Sequence, residues 1–222
     1  MSKTKFIVIS LMMVVVLFLG CKKTEKQYYD DGTLKSEVVK KRGKKDGPAR
    51  YYHANGKIQQ ETFYKDDELD GLSRRWYYNG KLELEENYKQ GLKDGKASGY
   101  NKKGKLIWKA YYVRDTLNGP WEEFHENGTP KVQGYYKMGL YDKVWRYFDF
   151  NNQQIGEGKF SNGSGFQRAF YPDGTKWREI PYKKNKKHGK ERWWFPDGKL
   201  QKEKEYVFDS LLIVHDYQKP IR

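Results

Sequence analysis

The stretch WYYNGKLELEENYKQGLKDG, from Trp76 to Gly95, is typical of two β-strands and two turns. Its aromatic residues favour a pleated, half-buried strand, and Asn79-Gly80 and Asp94-Gly95 are strong turn signals. An Asn-Gly pair supplies the positive φ angles that a two-residue type I′ turn requires. The stretch therefore predicts a β-hairpin, and its pattern returns along nearly the whole chain.

The repeat is anchored on the Gly of the first turn. This position recurs every 24 residues, with one interval of 22, at Gly32, Gly56, Gly80, Gly104, Gly128, Asn152, Gly174 and Gly198. An aromatic residue lies four positions before each anchor, at Tyr28, Tyr52, Trp76, Tyr100, Phe124, Phe148, Phe170 and Trp194. A ring returns eight positions after it, at Tyr64, Tyr88, Tyr112, Tyr136, Phe160, Tyr182 and Tyr206, whereas the first unit has Lys40. Self-similarity at a fixed period is the signature of a repeat architecture.

A second turn is expected fifteen residues after the anchor, at Gly47, Gly71, Gly95, Gly119 and Gly189, with Lys143 once in the same place. Each unit is then a strand, a tight turn, a strand and a longer turn. No segment after residue 21 shows sustained helical periodicity. The sequence predicts an all-β fold, an elongated single-layer antiparallel meander of about eight 24-residue hairpins and about sixteen strands over residues 28–206.

The position five residues after the anchor is repeatedly acidic, at Glu37, Glu61, Glu85, Glu157, Glu179 and Glu203. If the Asn-Gly turn has two residues, this glutamate shares a face with the aromatic residue before the anchor, and the ring after the anchor lies on the other face. Both faces would then be covered by large side chains of the sheet itself. We interpret the glutamates as partners of Lys and Arg across strands, with a carboxylate binding ladder as the alternative.

The composition favours a thin folded object. The apolar fraction is 36% and the mean hydropathy is −1.06, too polar for a large core, yet aromatics make up 17%, which is unlike a disordered chain. The formal net charge of +15 favours anionic partners such as lipid headgroups, acidic glycans or nucleic acid. One Cys excludes a disulfide within the chain.

The N-terminal segment has the pattern of an export signal. An apolar run of 14 residues, Phe6–Leu19, follows two lysines, and it is shorter than the roughly 20 residues of a membrane-spanning helix. We predict a signal peptide over residues 1–20. The ending FLGC, Phe18–Cys21, resembles the bacterial lipobox, in which cleavage between Gly20 and Cys21 leaves the Cys to carry lipid. An uncleaved anchor and a buried free thiol are the alternatives.

Residues 21–27 are then expected to be the lipidated Cys and a short basic linker. Each buried CH₂ of an acyl chain contributes about 0.8 kcal/mol, so several chains on Cys21 would hold the protein at a membrane. Lys22, Lys23 and Lys26 would add attraction to anionic headgroups.

Three stretches carry a resemblance to a known repeat: YYNGKLELEENYKQGLKDG (Tyr77–Gly95), YPDGTKWREIPY (Tyr171–Tyr182) and FPDGKLQKEKEY (Phe195–Tyr206). They resemble the bacterial MORN-variant repeat, Y-x-x-[DN]-G-K-L-x-x-E-x-x-Y-x-x-G-x-x-x-G, over residues 28–206. Proteins with these repeats are often described as YwqK-type antitoxins, and many are lipoproteins. The resemblance implies a strip of β-hairpins whose repeat residues are structural, so that no active site is carried over.

Residue types that carry chemistry occupy repeat positions. His53 and His125 stand three residues before the anchor, where four other units have Tyr29, Tyr77, Tyr171 and Phe195. No paired His or Cys spacing indicates a metal site. No nucleophile motif or phosphate loop is present. We therefore expect no enzyme activity, cofactor or small-molecule substrate.

Nucleic-acid binding is a weaker interpretation of the charge. The segment YKKNKKHGKERWW (Tyr182–Trp194) interleaves basic and aromatic residues as single-strand binders do. Lysines at turns are nevertheless ordinary solvent-facing residues that protect strand edges. The export signal would also separate the protein from intracellular nucleic acid.

Two irregular segments remain. In Asp142–Gly165 the turn Gly is replaced by Lys143, the anchor Gly by Asn152, and two residues are missing, which predicts a bend, a partner site or simple drift. The apolar run SLLIVHDY, Ser210–Tyr217, is expected to cap the last repeat within a terminal segment of residues 207–222. An exposed docking segment is the alternative.

Together these features predict a lipoprotein of the bacterial cell envelope, anchored at Cys21, whose repeat sheet is a non-catalytic binding or scaffold surface. The expected partners are a membrane, reached through the lipid, and an envelope protein or acidic polymer. An antitoxin or immunity protein is one alternative, although export argues against a cytoplasmic toxin. An enzyme acting on envelope glycans or lipids is another.

Overall fold

The computed structural model describes residues 21–217, and every regular element in that range is a β-strand. The strands are β1 (Lys22–Tyr28), β2 (Leu34–Lys41), β3 (Lys44–Tyr52), β4 (Ile58–Lys65), β5 (Glu68–Leu69), β6 (Gly71–Trp76), β7 (Leu82–Lys89), β8 (Leu92–Tyr100), β9 (Leu106–Val113), β10 (Thr116–Leu117), β11 (Gly119–Phe124), β12 (Pro130–Lys137), β13 (Leu140–Phe148), β14 (Gln154–Ser161), β15 (Ser164–Phe170), β16 (Lys176–Lys183), β17 (Lys186–Lys187), β18 (Gly189–Trp194), β19 (Leu200–Val207) and β20 (Ser210–Asp216).

These strands form one open antiparallel sheet in which each strand pairs with its neighbours in sequence. The two-residue strands β5, β10 and β17 are each one residue away from the next strand, so the 20 strands form 20 − 3 = 17 rows. Eight hairpins account for sixteen rows and β20 for the last. The predicted all-β single-layer meander is confirmed.

The turn at the repeat anchor differs from the predicted two-residue type I′ turn. Tyr77 donates its N–H to the Lys81 carbonyl (2.9 Å), and the Gly80 N–H donates to the Tyr77 carbonyl (2.8 Å). Gly80 has φ +86°, whereas Asn79 keeps a negative φ. This is a type I turn closed by a glycine bulge, with three loop residues. All eight anchor turns have the same bonds, and Asn152 (φ +62°) replaces Gly in one because Asn tolerates this conformation.

The side chains still lie on the predicted faces of the sheet, because a bulge beside each anchor turn restores the strand register that a two-residue turn would give. Tyr51 lies opposite Gln60, the pairing that a two-residue turn would also give, after a register shift between Tyr51 and Tyr52. The Tyr52 hydroxyl donates to the Glu37 carboxylate at 2.9 Å. The aromatic residue before the anchor and the glutamate after it therefore share a face, as predicted.

The type I′ turns lie at the other edge of the sheet, ten and eleven residues after the anchor, and the prediction of a turn at fifteen is wrong. Both central residues have positive φ in each of the eight: Arg42-Gly43, Asp66-Asp67, Gln90-Gly91, Arg114-Asp115, Met138-Gly139, Asn162-Gly163, Lys184-Asn185 and Phe208-Asp209. The glycines expected there instead lie in strands and face the side chain eight residues earlier. A Cβ on Gly119 (φ +138°) would come within 2.9 Å of the Tyr111 Cβ.

One face carries a continuous row of mostly charged residues, and we call it the ladder face. Cross-strand pairing connects this row through all 17 strand rows: Lys26, Glu37, Arg50, Glu61, Arg74, Glu85, Ser98, Lys109, Glu122, Gln133, Arg146, Glu157, Arg168, Glu179, Arg192, Glu203 and His215. Arg50 lies 2.7 Å from Glu61 and 3.1 Å from Glu37, and Arg192 lies 2.8 Å from Glu203. The glutamates are therefore cross-strand partners of basic residues, as interpreted from the sequence.

The opposite face, which we call the tyrosine face, carries the rings eight residues after the anchor. Small residues between the large ones are fully covered on this face: Ala49 and Ala110 are 0% exposed. Trp108 and Tyr112 flank Ala110 along the same strand. The core is thus a thin layer of the sheet's own side chains, which suits a chain of low apolar content.

In the shortened unit one side chain, that of Asn185, connects turns that are not adjacent in the sheet. In three other units an Asp of the type I′ turn accepts a backbone N–H from a residue near the preceding type I′ turn, as Asp67 does from Lys45 (2.7 Å). Asn185 instead reaches over the buried Gly163 to Tyr141, whose N–H donates to its Oδ1 at 2.8 Å. Its Nδ2 donates to the Gly139 carbonyl at 2.8 Å. The missing residues therefore leave a recessed hairpin turn inside a continuous sheet.

The two ends of the sheet differ from each other. Lys22–Gln27, assigned to a linker from sequence, belongs to β1, which pairs with β2. At the other end β20 pairs with β19 along its edge. Its own apolar residues stay exposed, Leu212 by 57% and Ile213 by 45%. The cap is therefore itself an open apolar edge.

Candidate functional site

A hollow in the middle of the tyrosine face is the most distinctive site. It has a volume of about 270 Å³ and is lined by Trp121, Glu123, Val132, Tyr136, Tyr141, Trp145, Tyr147, Phe160, Gln167 and Tyr182. The lining comes from β11, β12, β13, β14, β15 and β16, so five consecutive hairpin pairings contribute to it. It is centred on the irregular unit.

The rings around the hollow stand mostly edge to face. Tyr141 and Trp145 have centroids 4.9 Å apart at 73°, Tyr136 and Trp145 are 5.1 Å apart at 90°, and Phe160 and Tyr182 are 5.7 Å apart at 77°. Such geometry is favourable for aromatic pairs, and it brings several rings together around one hollow.

Glycines make room for these rings. A Cβ on Gly134 would lie 2.2 Å from the Trp145 ring, and one on Gly158 would lie 2.4 Å from the Phe160 ring. Trp145 and Phe160 are consequently 4% and 8% exposed in a sheet of one layer. The two glycines are therefore part of the site, although nothing in the repeat pattern marked them.

Phenol hydroxyls and one carboxylate supply the polar groups. Burial raises the pKa of Tyr182 to about 12. Burial likewise raises the pKa of Tyr136, helped by Tyr141, and that of Tyr147. These hydroxyls stay protonated at neutral pH. Glu123 accepts a hydrogen bond from the Trp121 indole N–H (3.3 Å), and it is the only charged residue among the described lining residues.

The aromatic residues before the anchors lie on the ladder face next to the glutamates. Tyr52 bonds to Glu37, and the Lys176 ammonium lies 4.0 Å from the Trp194 ring centroid. Residues three before the anchor connect neighbouring units. The Tyr77 hydroxyl donates to the Tyr100 carbonyl at 2.8 Å, and His53 contacts the Trp76 carbonyl at 3.1 Å in the same way.

His125 has the same role as His53, at 3.0 Å from the Phe148 carbonyl. Within residues 21–217 no cluster of three or more His, Cys, Asp or Glu side chains could hold a metal ion. The two histidines therefore extend the repeat's own hydrogen-bonding pattern.

Cys21 is exposed and directly precedes β1, whereas Gly20 and the rest of the predicted signal peptide lie outside the described residues. Lys22 forms an ion pair with Asp46 at 2.9 Å. Across the described strands and turns, no helix has the length and apolarity needed to cross a membrane.

Sequence reasoning did not find the hollow. Tyr136, Phe160 and Tyr182 occupy fixed positions of the repeat, whereas the other rings of the hollow, Trp121, Tyr141, Trp145 and Tyr147, do not. Their convergence depends on strand register, which becomes clear only with both turn types in place.

Comparison with known protein families agrees with the hairpin geometry. Five segments of the chain match the MORN repeat variant. They are residues 23–39, 45–66, 69–90, 117–138 and 187–207. Each MORN-variant match spans one anchor turn, at Gly32, Gly56, Gly80, Gly128 or Gly198, and the unmatched residues 139–186 contain the shortened unit. A search of curated proteins gave no match. MORN-variant repeats indicate a repeat-based binding or scaffold protein, and their all-β fold is typically non-catalytic.

Proposed function

We propose that the protein is a lipid-anchored, non-catalytic binding strip of the bacterial cell envelope that holds an acidic partner. The observation that carries the proposal is the position of Cys21. The single cysteine is exposed immediately before the first strand of an open sheet. Lipid on that residue would fix one end of the sheet at a membrane and leave the remaining strands accessible.

The ladder face is a poor candidate for binding a charged partner. Its carboxylates are already engaged by neighbouring basic residues, at distances such as 2.8 Å for Arg74 and Glu85 and 2.6 Å for Arg168 and Glu179. A partner would have to compete with these pairs and desolvate them.

The edge formed by the type I′ turns is a better candidate. Exposed lysines follow one another along it, at Lys41, Lys44, Lys65, Lys89, Lys137, Lys183, Lys184 and Lys186. Successive turns are connected by backbone bonds, as from the Gly91 N–H to the Leu69 carbonyl (2.8 Å), so these lysines form one line. A line of positive charge attracts an acidic polymer or an acidic protein surface by long-range electrostatics.

Two experiments test the proposal. Metabolic labelling with a clickable fatty acid should mark the wild-type protein and not Cys21→Ala, and wild type should sediment with membranes. Absence of label from both proteins would rule out the anchor.

Binding of an acidic polysaccharide such as heparin should weaken steeply between about 50 and 200 mM salt. Changing Lys183, Lys184 and Lys186 to Gln should weaken it more than the same change at Lys102, Lys103 and Lys105, which lie at the opposite edge. Equal losses in these two charge-matched variants, or binding that ignores salt, would contradict a charged-edge interface.

A further inference from the structure

The rings of the tyrosine face have a recurrent neighbour, the residue nineteen positions earlier. In three units it is a lysine whose Nζ lies over the ring: Lys45 is 4.7 Å from the Tyr64 centroid, Lys93 is 5.4 Å from Tyr112, and Lys187 is 5.0 Å from Tyr206. A cation at this distance from a ring face is attracted by the ring quadrupole. The sheet therefore uses this row of rings to hold ammonium groups.

The lysine is absent from this position around the hollow. The residues that precede Tyr136, Phe160 and Tyr182 by nineteen positions are Leu117, Tyr141 and Gly163. Tyr141 adds a ring where three other units have a lysine, and its centroid lies 5.3 Å from that of Phe160. The units with the densest cluster of rings are thus units without a lysine nineteen residues before the ring.

We propose that the hollow binds a small organic cation, a quaternary ammonium ion of the choline type. Aromatic rings and the Glu123 carboxylate line the hollow, and both attract a positive charge. The protonated phenols can accept hydrogen bonds from a ligand hydroxyl. The volume of about 270 Å³ lies just below the range of drug-sized pockets, so it suits a ligand of a few heavy atoms.

Glu123 remains available to such a cation. Its nearest basic group is the Lys131 ammonium at 3.5 Å, with side chains exposed by 33% and 53%. An exposed pair at that distance is weak and screened by salt. The site is separate from the charged edge and from Cys21, so this inference does not depend on the proposed anchor or acidic partner.

The test is isothermal titration of the full chain, purified in a maltoside detergent, with choline. The neutral control is dimethylbutanol, in which a tert-butyl group replaces the trimethylammonium. Choline should bind with a Kd between about 10 μM and 1 mM, at least tenfold tighter than the neutral control. Glu123→Gln should weaken choline binding by about threefold or more, because it removes the negative charge and keeps the shape.

A substitution taken from the repeat itself gives the sharpest variant. Leu117→Lys should place an ammonium over the Tyr136 ring, as Lys93 lies over Tyr112. This lysine would occupy the position of the choline cation and should abolish choline binding. Leu69→Lys makes the same change beside Tyr88, away from the hollow, and should leave binding within about twofold of wild type. Circular dichroism of both variants should match wild type, because other units carry lysine at this position.

Three results would overturn the inference. The first is no detectable heat of binding with choline up to about 10 mM. The second is equal affinity for choline and dimethylbutanol, which would show that the hollow binds apolar groups without regard to charge. The third is an equal loss of choline affinity in Leu117→Lys and Leu69→Lys, which would indicate a general effect of added charge.

Discussion

The side chain that bridges the shortened unit gives a quantitative prediction. Asn185 contributes two half-buried hydrogen bonds, from the Tyr141 N–H to Oδ1 and from Nδ2 to the Gly139 carbonyl, both 2.8 Å long. Each is worth about 0.5–1.5 kcal/mol net, so removing both should cost about 1–3 kcal/mol. For a protein of this length, that corresponds to a fall in melting temperature of about 2–12 °C.

The substitution should be Asn185→Gly, because Asn185 has φ +63° and glycine adopts that angle without strain. Asn162→Gly is the matched control, since Asn162 has φ +48° and is exposed in the neighbouring type I′ turn. Asn185→Asp should give an intermediate loss, because a carboxylate keeps the acceptor for Tyr141 and loses the donor for Gly139.

Thermal unfolding followed by far-UV circular dichroism gives the global effect. Repeat arrays also open locally, so amide hydrogen exchange at Tyr141 should be read alongside it. Exchange at Tyr141 should accelerate in Asn185→Gly and remain unchanged in Asn162→Gly. If the two glycine variants have the same melting temperature and the same exchange rate at the Tyr141 amide, the Asn185 side chain does not stabilise the shortened unit.

The remaining predictions concern the charged rows and the anchor turns. Glu191→Ala should lower the free energy of unfolding by about 3–5 kcal/mol in urea titrations, because Glu191 is 0% exposed and paired with Arg178 and Lys187. Glu83→Ala should cost under about 1 kcal/mol, because Glu83 is only half-buried and its partner Arg75 is exposed to solvent. Hydrogen bonding from Arg50 holds the pKa of Glu37 below its ordinary value of 4.5, and Lys190 does the same for Glu203. The stability that these two glutamates contribute is present above the pKa of the unfolded state and is lost as the pH falls through the pKa of the folded state. The melting temperature should therefore drop below about pH 4.5. A melting temperature that does not change with pH in this range would contradict a stabilising role for these pairs. Asn152→Gly should raise the melting temperature by about 1–4 °C, since glycine adopts φ +62° more readily; a decrease would show that Asn152 contributes through its side chain.

The sequence predicts the repeat far better than the turn geometry. Residues such as Gly80 recur because one backbone position needs a left-handed angle, but Asn79-Gly80 satisfies both a type I′ turn and a glycine bulge. Gly119 shows the same ambiguity, because glycine in a strand against Tyr111 looks in sequence like glycine in a turn. Face assignment succeeded because the bulge returns the strands to the same register.

The hollow and the Asn185 hydrogen bonds could not be predicted from the sequence for a different reason. The bridge from Asn185 crosses 44 residues and exists because a neighbouring turn is recessed. The absent lysine at Leu117 becomes meaningful only when Lys93 is seen over Tyr112. Both depend on long-range pairing, which local patterns do not contain.

The serial pairing of strands has a mechanical consequence. With 17 rows about 4.8 Å apart, a load between Cys21 and β20 acts across the strands and strains one ladder of hydrogen bonds at a time. Each released hairpin of 24 residues adds up to about 80 Å of slack. A protein tethered by Cys21 would therefore lengthen under tension in small, repeated steps, one hairpin at a time. A force–extension trace with one single rupture would contradict this behaviour.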